Sequence, residues 1–367
     1  MIGILGGGQL GRFLVNAARE WDIECAVLDP DPEAPAGKIA ARFETGNLTD
    51  SSRVLDFARG LDLLTVEIEN VSADALEEIA TRIRVHPSAS VLRIVQDKGI
   101  QKDFYRRNNI PTAPYRLISS REELPDSESS YPLIVKQRRG GYDGRGVKKI
   151  NSPADRSEAF AEPSVQEECI SIDQEISVIV SRNEFGQMAA FPAVEMVPTP
   201  AHVLDYLLSP ARITEDQHRR ANEIAFEIAE LIGLVGILAV EMFISNDQVL
   251  VNEIAPRPHN SGHATIEANM TSQYEQHLRM ILGHPPGPTD SLSSSALLNL
   301  LGQGDGTPLI HGMREAMGIP GVSVHMYGKR VCKPGRKMGH VTVLAPDRSI
   351  LLERIELVRS VLRVGPQ

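Results

Sequence analysis

Leu238-Ala-Val-Glu-Met-Phe-Ile244 and Val249-Leu-Val-Asn-Glu-Ile254, joined by Ser245-Asn246-Asp247-Gln248, read as a β-hairpin: two β-prone runs around a cluster of turn formers. With Asn246 to Gln248 as the loop, Ser245 pairs with Val249, Phe243 with Val251 and Glu241 with Glu253. Two carboxylates then face each other across a ladder, where like charges destabilise and apolar neighbours resist their joint ionisation. A divalent cation resolves the conflict. Carboxylate oxygens without Cys or His suit a hard ion such as Mg²⁺, which shares its shell with substrate phosphates. The alternative is a slipped register that leaves one glutamate in water.

The 367 residues around this hairpin exceed one typical core and predict two or three domains. A net charge of −10 makes the molecule as a whole repel nucleic acid and anionic membranes, so neither is an expected partner. An anionic ligand then needs a local basic pocket. Cys25, Cys169 and Cys332 are scattered and odd in number, against both a disulfide framework and a zinc cluster, and fit a reducing cytoplasm. Met1-Ile-Gly-Ile-Leu has no basic leader, so a signal peptide is not expected. No apolar run approaches the roughly 20 residues that span a bilayer.

The first segment alternates strand-like and helix-like stretches: Ile2–Leu5, then a helix from Gln9 to Glu20, then strands at Glu24–Leu28 and Leu61–Glu67. Such alternation implies a doubly wound parallel sheet. Ala73 to Arg82 offers another helix, and Val91 to Asn108 reads as one more, ended by Pro111 and Pro114. Tyr131–Lys136 is a strand with its lysine at the exit, Thr214 to Ile232 a long amphipathic helix, and Gly321 to Val364 a strand-rich tail.

Two glycine loops stand out. Gly6-x-Gly8-x-x-Gly11 follows a strand, opens a helix and is followed by Asp29 at the next strand's end, which is the dinucleotide fingerprint taken literally. It equally suits a single phosphate or a tight strand-to-helix turn. The run Lys136-Gln-Arg-Arg-Gly140-Gly141-Tyr142-Asp143-Gly144-Arg145-Gly146-Val147 instead joins a strand-exit lysine to glycines whose N–H groups can converge on phosphate oxygens.

With Gln166-Glu167-Glu168-Cys169-Ile170, Glu175, Glu241 and Asn252-Glu253-Ile-Ala-Pro256-Arg257-Pro-His259-Asn260-Ser-Gly262-His263, this second loop resembles the ATP-grasp enzymes. Within them the chain is similar to the N5-carboxyaminoimidazole ribonucleotide synthetases. The resemblance rests on Gly7-Gly-Gln-Leu-Gly11, Tyr142–Gly146, Arg257–His263 and Lys333-Pro-Gly-Arg-Lys-Met-Gly-His340, spread over nearly the whole chain in the family's order. It implies an α/β and α+β architecture. An N-terminal doubly wound domain would cover 1–92, an ATP-grasp domain 93–288 with a lid at about 115–180, and a small strand-rich C-terminal domain 289–367.

The resemblance also implies an ATP-dependent ligase taking bicarbonate and 5-aminoimidazole ribonucleotide in purine biosynthesis, as a homodimer, with Mg²⁺ (or Mn²⁺) on Glu241 and Glu253. Arg93 and Lys136 would approach the ATP phosphates under the Gly141–Val147 loop. Glu167, with Glu168, Cys169 and Ile170, would edge the adenine, and Glu175 would hold the ribose. Asn252 belongs to the same motif, although strand alternation points it to the other face. Arg257, His259 and Asn260 would take bicarbonate and the carboxyphosphate made from it, while His263 is structural. The acceptor would meet Gln9, Glu67, Tyr142, Asp143, Arg145, Lys329, Lys333, Arg336 and Lys337, with Asp143 taking up its amine and Glu69 beside Glu67. Relatives often carry a histidine where this chain has Pro198, and no site is carried onto it. Rival readings are a formate-dependent glycinamide ribonucleotide transformylase, an NAD-dependent oxidoreductase on the Gly6–Gly11 loop, and a non-enzymatic binding module. The oxidoreductase leaves Glu241, Glu253 and the second loop unexplained.

Overall fold

The computed structural model describes residues 1–141, 146–198 and 204–367. The first layer runs β1 (Ile2–Leu5), α1 (Gln9–Arg19), β2 (Cys25–Asp29), β3 (Arg42–Thr45), α2 (Ser51–Phe57), β4 (Leu63–Val66), α3 (Ala73–Ile79) and β5 (Arg84–His86). The strands are parallel in the order β3-β2-β1-β4-β5, the doubly wound sheet that the alternation predicts. Burial on both faces is why β1 reads as an unbroken apolar run and β4 as one interrupted only by Thr65, whose buried hydroxyl lies 2.9 Å from His277 Nε2. Val54, Phe57, Leu76 and Ile79 cover one face. On the other, Leu10, Leu14 and Ala18 of α1 pack with Tyr274, Leu278 and Ile281, so a later helix shares this core.

Val91 to Asn108 is not one helix but two, α4 (Ala89–Val95) and α5 (Lys98–Arg107). Asp97 makes the break. Its carboxylate accepts from the N–H groups of Gly99 at 2.8 Å and Ile100 at 3.2 Å, an N-cap that starts a new helix. Arg138 holds the same carboxylate at 2.8 Å. Lys98 becomes the first residue of α5, and Lys102 follows one turn on.

A small antiparallel sheet follows, in the order β6 (Tyr115–Ile118), β9 (Ser164–Glu168), β7 (Leu133–Gln137), β8 (Val147–Ile150), closed over Ile118, Leu133, Val135 and Ile150. The remaining chain forms β10 (Gln174–Arg182), β11 (Met188–Ala190), β12 (Val194–Pro198), β13 (Leu204–Ser209), α6 (Glu215–Leu231), β14 (Gly236–Ser245), β15 (Gln248–Ala255), α7 (Thr265–Ala268) and α8 (Gln273–Ile281). It ends with β16 (Ser294–Leu301), β17 (Pro308–His311), α9 (Met313–Met317), β18 (Val322–Met326), β19 (Lys337–Ala345), α10 (Arg348–Val361) and β20 (Arg363–Pro366). Thr214 and Gln217 form a capping box that starts α6, whose Ala221, Ile224, Ala225 and Ile228 are buried with β10 and β14.

One sheet in the order β15-β14-β10-β12-β13-β16-β19-β18, with β11 beside β10, joins the central and C-terminal parts through β13 and β16. Of the tail, β18 and β19 extend the central sheet, whereas β20 pairs with β17 in a separate two-stranded sheet and α10 is helical. Among the described residues no helix is long and apolar enough to cross a membrane.

Candidate active site

The hairpin of β14 and β15 turns on two residues, not three. Asn246 and Asp247 both have positive φ (48° and 62°), the left-handed pair of a tight hairpin, and Ser245 pairs with Gln248. Phe243 then faces Leu250 and Met242 faces Val251. That register alone would put Glu241 opposite Asn252. The ladder shifts by one residue between Glu241 and Met242, and this irregularity restores the expected pair, Glu241 opposite Glu253. It also corrects the reading of Asn252. An extra residue breaks the strict alternation, so Asn252 and Glu253 line one cavity together, with Lys98, Gln101, Lys102, Lys136 and Glu167.

The cavity is a lattice of alternating charge. Lys136, at the exit of β7, donates to Asn252 Oδ1 and to Glu167 Oε2, each at 2.8 Å. Lys102 meets Glu167 Oε1 at 2.7 Å and donates to Thr112 Oγ1 at 2.5 Å. Lys98 holds Glu253. Burial pushes Lys102 down to about 8, against the pull of Glu167, and the nearby Lys136 and Lys98 push the same way. Burial opposes the charge of Glu167, but the two lysines overcome it and hold the carboxyl below its usual range. The Glu167 side chain thus holds both lysines at the wall of the cavity.

Among the described residues, Glu241 and Glu253 are contacted by different side chains. Glu241 Oε1 lies 3.1 Å from His259 Nε2, while Lys98 answers Glu253, so each carboxylate has its own cation or donor. His259 is built in from three sides. Its Nδ1 lies 2.9 Å from Ser261 Oγ, its N–H donates to Gln273 Oε1 at 2.8 Å, and its carbonyl accepts from Gln273 Nε2 at 2.7 Å. Arg257 lies 2.8 Å from Glu69, and Asn260 Oδ1 is buried without a hydrogen-bond partner among the described residues.

The first glycine loop is already filled. Glu67 reaches into it and accepts from the N–H of Leu10 at 3.2 Å, at the start of α1. A Cβ on Gly6 would sit 2.5 Å from one Glu67 oxygen, and one on Gly8 would sit 2.6 Å from the other. Asp29 accepts from the N–H of Gly7 at 2.6 Å and of Asp31 at 2.7 Å. The glycines and the aspartate that imitate a dinucleotide fingerprint serve an internal carboxylate. Burial raises Glu67 to about 7, against the pull of Arg257.

At the far end, Lys329 donates to the Lys337 carbonyl at 2.8 Å and lies 5.5 Å from the Tyr327 ring centre. Arg336 donates to the Val331 carbonyl at 2.8 Å. The Pro334-Gly335 turn is present, with Gly335 at φ 73° and the Arg336 N–H on the Lys333 carbonyl at 3.0 Å; Lys333 is exposed. Gln9 opens α1, half-buried. Glu168 is exposed, Cys169, Ile170 and Glu175 are half-buried, and Val147 follows Gly141 and Gly146 at the edge of the small antiparallel sheet. Tyr142, Asp143, Gly144 and Arg145 lie outside the described residues.

Arg93 is not brought to this site. It sits on α4 in ion pairs with Asp74 at 2.7 Å and Glu77 at 2.6 Å, both exposed acids of the N-terminal layer. The cations actually beside Lys136 are Lys98 and Lys102, which the reading of a continuous helix concealed. Asp97, a capping residue directly before a lysine, was the signal that could have found them.

Comparison with known proteins matches residues 1–96 to the ribonucleotide synthetase preATP-grasp domain, 103–274 to the ATP-grasp domain and 295–354 to the phosphoribosylaminoimidazole carboxylase C-terminal domain. The N5-carboxyaminoimidazole ribonucleotide synthase of Bacillus subtilis is 36% identical, over 97% of this chain and 94% of its own. The crystal structure of the Thermotoga maritima synthetase superposes with a TM-score of 0.92 at 39% identity, covering 100% of this chain and 99% of that one. The Aspergillus clavatus synthase, solved with ADP and 5-aminoimidazole ribonucleotide, gives 0.85 at 32% identity over 98% of both chains.

Proposed function

The chain belongs to the N5-carboxyaminoimidazole ribonucleotide synthetase family of ATP-grasp ligases, and we propose how its own residues divide the reaction. The enzyme uses ATP and bicarbonate to carboxylate 5-aminoimidazole ribonucleotide, giving the N5-carbamate, ADP and phosphate. The observation that carries the division is the run of built-in charge from Lys98, Lys102 and Lys136 through the Glu241–His259 pair.

Lys98, Lys102 and Lys136 take the nucleotide phosphates, with Glu167 holding two of them in place. Glu241 and Glu253, with Asn252 beside them, are hard oxygen donors that fit Mg²⁺ or Mn²⁺. When bound, that ion neutralises phosphate charge; His259 and Lys98 hold the same carboxylates otherwise. Arg257, His259 and Asn260 receive bicarbonate, and their fixed donors stabilise the charge that develops as it is phosphorylated. The Asn260 oxygen, buried without a hydrogen-bond partner among the described residues, and the triply held His259 support this placement.

Lys329, Arg336 and Lys337 clamp the acceptor's phosphate, and Asp143 accepts a hydrogen bond from the attacking amine. The same reading takes the chain as a cytoplasmic homodimer with domains divided near 92 and 288. ADP release tests it: bicarbonate with 5-aminoimidazole ribonucleotide should yield ADP and carbamate together, and formate with glycinamide ribonucleotide should yield neither. The reverse preference would overturn it.

A further inference from the structure

We propose that Arg12, on the N-terminal layer, is a positioning residue for the acceptor clamp and acts through Lys329. The inference rests on the reading of Lys329 as an acceptor-binding residue. Arg12 follows directly on the Gly7–Gly11 motif, one residue from the loop that holds Glu67. Its Nη1 crosses to the C-terminal part and donates to the Tyr327 carbonyl at 2.8 Å. Lys38, from the same layer, donates to the next carbonyl, that of Gly328, at 2.9 Å. Two cations thus bracket the peptide that leads into Lys329.

The loop is shaped to admit them. Gly328 has φ 77°, and a Cβ there would meet Arg12 Nη1 at 2.7 Å. Only a glycine permits both the left-handed turn and the close approach. Below the loop Tyr327 is fully buried, its hydroxyl 3.0 Å from His340 Nδ1, with the Phe13 ring edge-on 6.1 Å away. Adjacent residues of α1, Arg12 and Phe13, therefore grip the backbone and the ring of Tyr327, while Lys329 extends over that ring to the Lys337 carbonyl. Of the two bracketing contacts, the half-buried Arg12 bond outweighs that of Lys38, which is exposed and screened by water.

The acceptor clamp thus depends on a residue of the N-terminal layer that reaches it only through the Tyr327 carbonyl. Gln9, at the start of the same helix, would sense the same displacement.

The test is a double-mutant cycle in the full chain, read as the dissociation constant of 5-aminoimidazole ribonucleotide by titration calorimetry, so that variants without turnover still report. Arg12→Ala should weaken acceptor binding about tenfold, as loss of a charge-assisted contact would, with ATP affinity within about twofold. Arg12→Lys, which keeps a donor and the stem, should recover most of the loss. In a Lys329→Ala background Arg12→Ala should add nothing. Equal penalties in both backgrounds, or equal loss of ATP affinity, would overturn the positioning role. Lys329→Ala with full acceptor affinity would instead overturn the reading on which it rests. Should Arg12→Ala fail to fold, the cycle is run with Arg12→Lys and Arg12→Gln, and additivity there refutes the proposal equally.

Discussion

Replacing Glu167 with Gln should expose how the lysine-lined cavity proposed for the phosphates is held together. The Glu167 side chain is 4% exposed and answers Lys102, also 4% exposed, and Lys136, 12% exposed. Removing its charge leaves two ammonium groups facing each other in a desolvated cleft. Breaking a buried ion pair costs about 3–5 kcal/mol, which at roughly 1–2 °C per kcal/mol for a chain of this size lowers the melting temperature by about 3–10 °C. The loss should depend on pH in a defined direction. Lys102 has a folded pKa of about 8, below its unfolded value of 10.5, so the unfolded chain binds more protons between those values and stability rises with pH across that window. Without Glu167 the folded pKa falls further. The variant begins to recover stability below pH 8, where the parent does not, and its deficit is greatest near pH 6 and narrows toward 8. ATP or ADP brings the missing negative charge, so nucleotide should raise the melting temperature of Glu167→Gln more than that of the parent. Calorimetric scans at pH 6, 7 and 8, with and without nucleotide, read both effects. A deficit independent of pH, together with equal nucleotide stabilisation of the two proteins, would refute the charge-sharing account.

Arg93→Ala should leave the Michaelis constant for ATP within about twofold, since its ion pairs are exposed, whereas Lys98→Ala should raise it about tenfold or more. Steady-state kinetics on the two variants separates them, and the opposite pattern would return the phosphate contact to α4. Glu253→Gln should raise the Mg²⁺ concentration needed for half-maximal rate and also lower metal-free stability, because Lys98 loses its partner; Glu241→Gln should do the first with a smaller second effect. Unchanged Mg²⁺ dependence in both would remove them as metal ligands. Glu67 has a folded pKa of about 7, above its unfolded value, so the stability it contributes at acid pH is lost as pH rises through 7. Glu67→Gln should flatten the melting temperature between pH 4.5 and 7, the window between its unfolded and folded values, and a slope there equal to the parent's would place the titration elsewhere.

Strands buried on both faces were legible because alternation of β and α stretches leaves few topologies, and the parallel first layer follows directly. The Glu241–Glu253 pair was legible for a less direct reason. The expected three-residue loop and the observed two-residue turn plus ladder shift place the same carboxylates opposite each other, so the pairing was right although the register between was not. Irregularities of this kind depend on packing beyond the strand and leave little trace in the sequence. Asn252 was misplaced by the same irregularity. The broken helix at Asp97 is different, for its capping signal was present and was outweighed by a continuous helical pattern on either side. The Gly6–Gly11 motif shows the limit of reading a loop alone. What fills it is Glu67, a residue distant in sequence that the fold brings in.

The most direct measurement follows the oxygen of bicarbonate. If the Arg257, His259 and Asn260 region holds bicarbonate while ATP phosphorylates it, one bicarbonate oxygen must leave with the phosphate when the amine takes the carboxyl group. With heavy-oxygen-labelled bicarbonate, ATP and 5-aminoimidazole ribonucleotide, mass spectrometry of the released phosphate should find one labelled oxygen per phosphate in step with carbamate formation. Unlabelled phosphate accompanying full carbamate yield would contradict the account, because the carboxyl group would then have reached the amine without passing through carboxyphosphate.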